Sequence, residues 1–230
     1  MYLNFSTTQP PDLSRPVFLS SSARRWRALT KDQAVLYQKL YAKRSVINHP
    51  DILDAAQLKK ARLVLEIGFG DGANLVALAT KFPETYFIGA ELYRPGLLKI
   101  AKLADQLNLN NLFLFEGDAR HLLSKLPDNV LAGCVILFPD PWPKQRHHKR
   151  RLVDAAFLTL LHSKCCANAE FNLATDCHDY ALAVHKLLTS SLTTTWAPNP
   201  NLAAFKRCVA TKFALKSTLK FDELCFVVCK

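Results

Sequence analysis

Arg62-Leu63-Val64-Leu65-Glu66-Ile67-Gly68-Phe69-Gly70-Asp71-Gly72 decides the fold. An apolar run broken by a single acid, then closed by three glycines at alternate positions, reads as a strand covered on both faces and leading into a tight turn. Ala73 to Phe82 continues with helical spacing, so residues 62–82 form the strand, turn and helix that open a βαβ unit.

The same alternation extends outward. Tyr86–Leu92 reads as a strand, and Leu97–Leu107 as a helix with apolar residues on one face. Leu112–Phe115 is a third strand, running into Gly117-Asp118 and a short helix to Leu126. Cys134–Phe138 and Phe171–Ala174 are further strands, separated by a helix over Arg151–Lys164 and followed by one over Asp179–Leu188. Leu224–Cys229 is an apolar strand expected to close the far edge of the sheet. The pattern predicts an α/β fold: a mostly parallel sheet with helices on both faces. Residues 62–230 are expected to form one domain. Residues 1–61 precede it as an extension, flexible over the Pro-rich start (Pro10, Pro11, Pro16) and helical from Arg24 to Arg44, with Leu29, Leu36, Leu40 and Tyr41 as packing positions. Arg24, Arg25 and Arg27 around Trp26 suit either a solvated face or a contact with phosphates.

Composition narrows the function. Of 230 residues, 50% are hydrophobic and 21% charged, which suits a folded domain rather than a disordered or fibrous chain. No apolar run approaches the roughly 18 residues that span a membrane, and the first twenty residues lack a secretory pattern, so a soluble cytoplasmic protein is expected. Thirty Lys and Arg against nineteen Asp and Glu give a net charge of +11, which favours a polyanionic partner, nucleic acid first. The seven cysteines form no CxxC pair, so reduced thiols and no metal site are expected.

Ligands of open α/β sheets bind beyond the carboxyl ends of the strands. Glu66, Glu91, Asp118, Asp140 and Asp176 fall at five consecutive predicted strand ends. Gly68 and Gly70 alone also satisfy a dinucleotide fingerprint. Glu66 argues otherwise, because a carboxylate before the loop repels a pyrophosphate and suits a cation. S-adenosylmethionine carries an ammonium and a sulfonium and no phosphate. Glu91 can accept from both ribose hydroxyls, and Asp118 from the adenine amino group.

After the fourth strand comes FPDPWPKQRHHKRR, residues 138–151. Three prolines stiffen the loop, and a dense basic cluster follows. With EIGFGDG (66–72), FNLATD (171–176) and the shortened Thr211-Lys212-Phe213, this stretch closely resembles the signature of the bacterial tRNA (guanine-N7-)-methyltransferases, the TrmB family. The resemblance implies a class I S-adenosylmethionine-dependent methyltransferase of Rossmann-like fold that forms 7-methylguanosine at the variable-loop guanosine, tRNA position 46. It implies Asp140 as the catalytic position. Glu66, Gly68, Gly70, Glu91, Asp118 and Asp140 would line the cofactor site. Lys144, Asp176, Thr211, Lys212 and Phe213 would touch substrate, and Arg146, His147, His148, Lys149, Arg150 and Arg151 would form the RNA-contacting run. The expected partner is tRNA, with no DNA and no membrane, and the expected state a monomer or homodimer. His147 and His148 read as phosphate neighbours rather than proton carriers, and Trp142 as either a base-stacking or a packing residue.

Two positions depart from the family pattern. Ala214 stands where a glutamate follows Thr-Lys-Phe, and Cys177 where tryptophan follows Thr-Asp. Both lie on the substrate side, which opens a second reading: a catalytically weakened methyltransferase-like protein that binds tRNA.

Overall fold

A computed structural model describes residues 29–49, 61–190, 195–199, 205 and 221–229. Seven strands form one sheet in the order β3-β2-β1-β4-β5-β7-β6. They are β1 (Arg62–Ile67), β2 (Thr85–Glu91), β3 (Leu112–Glu116), β4 (Leu131–Leu137), β5 (Cys165–Thr175), β6 (Trp196–Pro198) and β7 (Asp222–Val228). The first five are mutually parallel. β7 runs antiparallel to both of its neighbours.

The helices are α1 (Lys31–Arg44), α2 (Ala73–Lys81), α3 (Arg94–Gln106), α4 (Ala119–Lys125), α5 (Ala155–Lys164) and α6 (His178–Ser190). Alternate strand residues feed two apolar layers. Leu63, Leu65, Ile136, Phe171 and Leu173 pack on one face with Phe157 and Tyr180. Val64, Phe87 and Val135 pack on the other with Leu75, Leu97, Ile100 and Phe205. Burial on both faces is why the central strands read as near-continuous apolar runs.

Three elements differ from the sequence expectation. The last strand does not close the sheet: β7 lies inside it, between β5 and the three-residue edge strand β6. β6 is too short to show a period and ends in Pro198, a residue tolerated at sheet edges. The helix expected from Arg151 begins at Ala155, because the Asp154 carboxylate accepts from Phe157 N–H at 2.8 Å and caps it there; Gln145–Arg150 forms a separate 3-10 turn. The strand expected at Phe171–Ala174 starts six residues earlier, at Cys165.

α1 is fastened to the β3 edge of the sheet. Thr30 and Gln33 form its capping box. Tyr37 is buried, and Leu29, Leu36, Leu40 and Tyr41 pack against the same layer. The Tyr37 hydroxyl donates to Glu116 Oε2 at 2.7 Å, and Tyr41 Oη accepts from Glu116 N–H at 2.8 Å. At the other end buried Arg44 donates through Nη1 to the carbonyls of Leu109 and Leu112. The Pro-rich start and Arg24 to Arg27 lie outside the described residues.

The turn between α2 and β2 hangs on one side chain. Buried Asn111 donates through Nδ2 to the carbonyls of Ala79 (3.0 Å), Phe82 (3.1 Å) and Thr85 (3.0 Å). Asn111→Ala leaves these acceptors without their donor and is expected to lower unfolding stability by about 1–3 kcal/mol, read as a lower urea midpoint.

Candidate active site

The strand order turns back at β1, which pairs with β2 on one side and β4 on the other. Such a reversal opens a crevice over the carboxyl ends of the two central strands. The glycine loop and Asp140 sit at those ends.

Gly68 and Gly70 have φ of 69° and 58°, values that side-chain-bearing residues rarely adopt, and Gly72 caps α2 in the same region. Gly96 admits α3 close to the loop, since a Cβ there would collide with the Gly70 carbonyl. Glu66 lies beneath the loop, 2% exposed, with Oε2 accepting from Asn74 Nδ2 at 3.1 Å. Burial pushes its carboxyl up to about 8, against a smaller opposing effect of the Asn74 hydrogen bond.

Glu91 ends β2 and gathers backbone N–H groups. Gly70 N–H donates to Oε2 at 2.9 Å, and Leu92 and Tyr93 N–H donate to Oε1 at 2.7 and 3.0 Å. Asp118 caps α4 by accepting from Arg120 N–H at 2.8 Å, with its other oxygen 3.6 Å from Arg120 Nη1. Asp140 follows β4 in a half-buried loop, and its Oδ2 is buried with no hydrogen-bond partner. Asp176 follows β5 and is exposed. The five acids therefore stand at five strand ends on one rim.

This donor set fits S-adenosylmethionine. A buried carboxylate oxygen without a partner, as at Asp140, is stabilised by a nearby cation and does not suit a pyrophosphate, and a cation beside Glu66 favours release of the proton that burial holds there. Among the described residues no group of three or more His, Cys, Asp or Glu is placed to hold a metal ion.

The loop after β4 is pinned at its start by Phe138 N–H, which donates to the Ala174 carbonyl at 2.7 Å. Its basic side chains divide into two kinds. Lys144, Arg146 and Lys149 are exposed; His147, His148 and Arg150 are half-buried. Trp142 is engaged by its own loop, with the Arg150 guanidinium 4.9 Å over its ring and His147 edge-on at 5.8 Å, which favours the packing role. Desolvation first, and then the surrounding Arg150, Arg146, Lys144 and Lys149, lower the His147 pKa, keeping this histidine neutral at pH 7.

Arg151 is placed differently from its run. It is 5% exposed and its guanidinium is committed to protein: Nε donates to the Pro141 carbonyl at 3.0 Å and Nη2 to Asp179 at 2.6 Å. This sets Arg151 apart from the exposed cations of the same run and ties it to the Pro141 end of the loop. Sequence reasoning also passed over Arg120, Asp179 and Tyr180, which build this brace. Their one signal was position, Arg120 following Asp118 by two and Asp179 opening α6. Thr211, Lys212, Phe213 and Ala214 lie outside the described residues. Cys177 is half-buried against the apolar layer of Phe171 and Tyr180.

Comparison with known proteins agrees with this geometry. The family model described as "Putative methyltransferase" matches residues 60–220. A tRNA (guanine-N(7)-)-methyltransferase of Nitrosococcus oceani is 37% identical over 178 residues, covering 76% of this chain and 75% of that protein. One from Neorickettsia sennetsu is 42% identical over 127 residues, covering 55% of this chain; the match spans 58% of that relative's length. A solved 16S rRNA (adenine(1408)-N(1))-methyltransferase variant with cosubstrate SAM, from Catenulisporales acidiphilia, superposes with a TM-score of 0.50 at 17% identity, covering 79% of this chain and 92% of that one. At that identity the likeness shows the fold.

Glu66 makes the ligand-free protein sensitive to pH. Its folded value of about 8 lies above the ordinary 4.5, so the folded state keeps a proton that the unfolded state releases. Stability then falls as pH rises from about 4.5 to about 8. Thermal melts at pH 5, 6.5 and 8 are expected to show a shallower fall in Glu66→Gln than in the wild type.

Proposed function

The chain belongs to the tRNA (guanine-N7-)-methyltransferase family, and we propose on that premise that it transfers the methyl group of S-adenosylmethionine to N7 of the variable-loop guanosine, tRNA position 46. The observation that carries the reading for this chain is the partnerless buried Oδ2 of Asp140, at the β1/β4 crevice and at the root of the basic loop. S-adenosylmethionine supplies, when bound, a methyl group on a sulfonium.

N7 of guanine has a lone pair and no proton to remove, so the protein need supply no general base. Its task is alignment and a field suited to charge that moves from sulfur to the guanine ring. Asp140 provides negative charge beside the reacting centre. Glu91 accepts from the ribose hydroxyls, exchanging backbone N–H groups for them, and Asp118 from the adenine amino group. Asp176, exposed on the same rim, is suited to accept from guanine N1–H and the 2-amino group, which separates guanine from adenine. Lys144, Arg146 and Lys149 meet the tRNA backbone and fix its register without reading bases. His147 and His148 serve as phosphate neighbours, and the family resemblance alone gives Thr211, Lys212 and Phe213, outside the described residues, to substrate contact. The chain is assigned to the cytoplasm, where its tRNA substrate resides.

A protein that only bound tRNA would have no use for the carboxylates of Glu66, Glu91 and Asp118 at three successive strand ends, which this reading gives to the cofactor. The weakened-enzyme reading is accordingly set aside.

Labelled S-adenosylmethionine incubated with unmodified tRNA transcripts is expected to mark the variable-loop guanosine, mapped by cleavage at 7-methylguanosine. Asp140→Ala is expected to lose turnover while keeping tRNA affinity within about threefold, since the phosphate contacts lie in other residues. Undiminished transfer in this variant would reject the assigned role. Arg146→Gln combined with Lys149→Gln should raise the KM for tRNA and reduce the slope of log KM against log salt by up to about 2. An unchanged slope would place the RNA path elsewhere.

A further inference from the structure

Asp140 is presented between two strained residues. Phe138 and Trp142 have φ of 51° and 44°, left-handed values that bulky side chains rarely take. Such conformations persist where the surrounding structure over-determines them. The Phe138 end is held by the Ala174 carbonyl. The other end is held at Pro141, whose carbonyl accepts from Arg151 Nε at 3.0 Å.

The Arg151 guanidinium is itself immobilised. Nη2 donates to Asp179 Oδ2 at 2.6 Å and lies 3.1 Å from His148 Nε2, and the guanidinium carbon stands 4.7 Å over the Tyr180 ring. Tyr180 is wholly buried, and its hydroxyl accepts from Val153 N–H at 2.9 Å. Arg120 closes the arrangement. Its Nη2 donates to the carbonyls of Arg151 (3.5 Å) and Leu152 (3.1 Å), while Nη1 stands 3.6 Å from Asp118. A connected path of polar contacts thus runs from Asp118 through Arg120 and Arg151 to the residue that follows Asp140.

We propose that Arg151 is a positioning residue: its guanidinium pins the Pro141 carbonyl and thereby sets the Asp140 carboxylate at the crevice, with no contact to RNA. This deepens the methyl-transfer reading and rests on it. A surface phosphate contact needs an accessible cation, whereas the Arg151 guanidinium is buried and turned through Nε and Nη2 to Pro141 and Asp179. What it controls is the placement of a reacting-centre group, where an error of about 1 Å costs on the order of 10²-fold in rate.

Arg151→Met and Arg151→Lys separate the two roles, assayed beside the wild type on unmodified tRNA transcripts. Both variants are expected to lose about ten- to a hundred-fold in kcat. The KM for tRNA should stay within about twofold, with its salt slope unchanged. Lysine keeps the charge but lacks the fork that spans Pro141 and Asp179, so it should not rescue. Amide hydrogen exchange over residues 138–151 should accelerate in both. Full kcat with a raised KM and a flatter salt slope, or full rescue by lysine, overturns the proposal. If Arg151→Met fails to fold, judged by near-UV circular dichroism, Arg151→Lys carries the same comparison. A wild type that methylates no tRNA would reject the methyl-transfer reading instead, and exchange would then decide alone: acceleration over 138–151 sustains the pin, and unchanged exchange overturns it.

Discussion

Parallel pairing of β1 with both β2 and β4 is the constraint on which the rest depends. Chain growth leaves β1 in one direction through β2 and β3, then resumes on its other side at β4. The connections on the two sides are drawn apart, and the end of β1 is left open. Everything placed there pays attention to one small volume. Glycines let the chain turn out of β1, Gly96 lets α3 approach that turn, and Glu91 binds the N–H groups of both. Glu66, in the last turn of pleat before the loop, is buried because strands flank it on both sides. Its raised pKa is therefore a consequence of topology before it is a property of any ligand site.

Much of this was legible in the sequence because it is local. Strand and helix periods mark β1 to β4 and the core of β5, and the acids fall at the strand ends those periods predict. The start of α5 is set by a local cap at Asp154, whereas what was not legible elsewhere depends on partners that are not sequence neighbours. β7 reads as an edge strand because nothing near Leu224 indicates that Trp196–Pro198 pairs outside it. The packing positions expected of α1 do meet the apolar layer, but its polar anchors, Glu116 and the carbonyls of Leu109 and Leu112, lie more than sixty residues on and leave no local sign. Arg151 reads as one more surface cation because its neighbours in sequence are cations. What buries it is a carbonyl ten residues back and two side chains of α6, Asp179 and Tyr180.

The site also has to reconcile charges of opposite sign. A chain of net charge +11 places carboxylates at its reactive centre, and its proposed substrates are a cation and a polyanion. The arrangement resolves this by distance and exposure. Lys144, Arg146 and Lys149 stand outside, where their field reaches a nucleic acid across solvent, while Glu66 and the Oδ2 of Asp140 are buried in the crevice. Glu66 reduces the conflict further. With no cation nearby it stays protonated at neutral pH and adds no repulsion to an approaching phosphate backbone.

Salt then distinguishes cations that the sequence presents as a single run. Fields of exposed charges are screened over roughly 8 Å at physiological ionic strength, so Arg146 and Lys149 act in a salt-dependent way. The Arg151 guanidinium is buried, which shields its bond to the Pro141 carbonyl, while its partner Asp179 is exposed and leaves that side of the brace open to salt. One stretch of six residues can in this way tune substrate capture with its outer members and hold reaction geometry with its innermost one. On the proposed reading the two tasks differ in how far solvent reaches the cation that performs each.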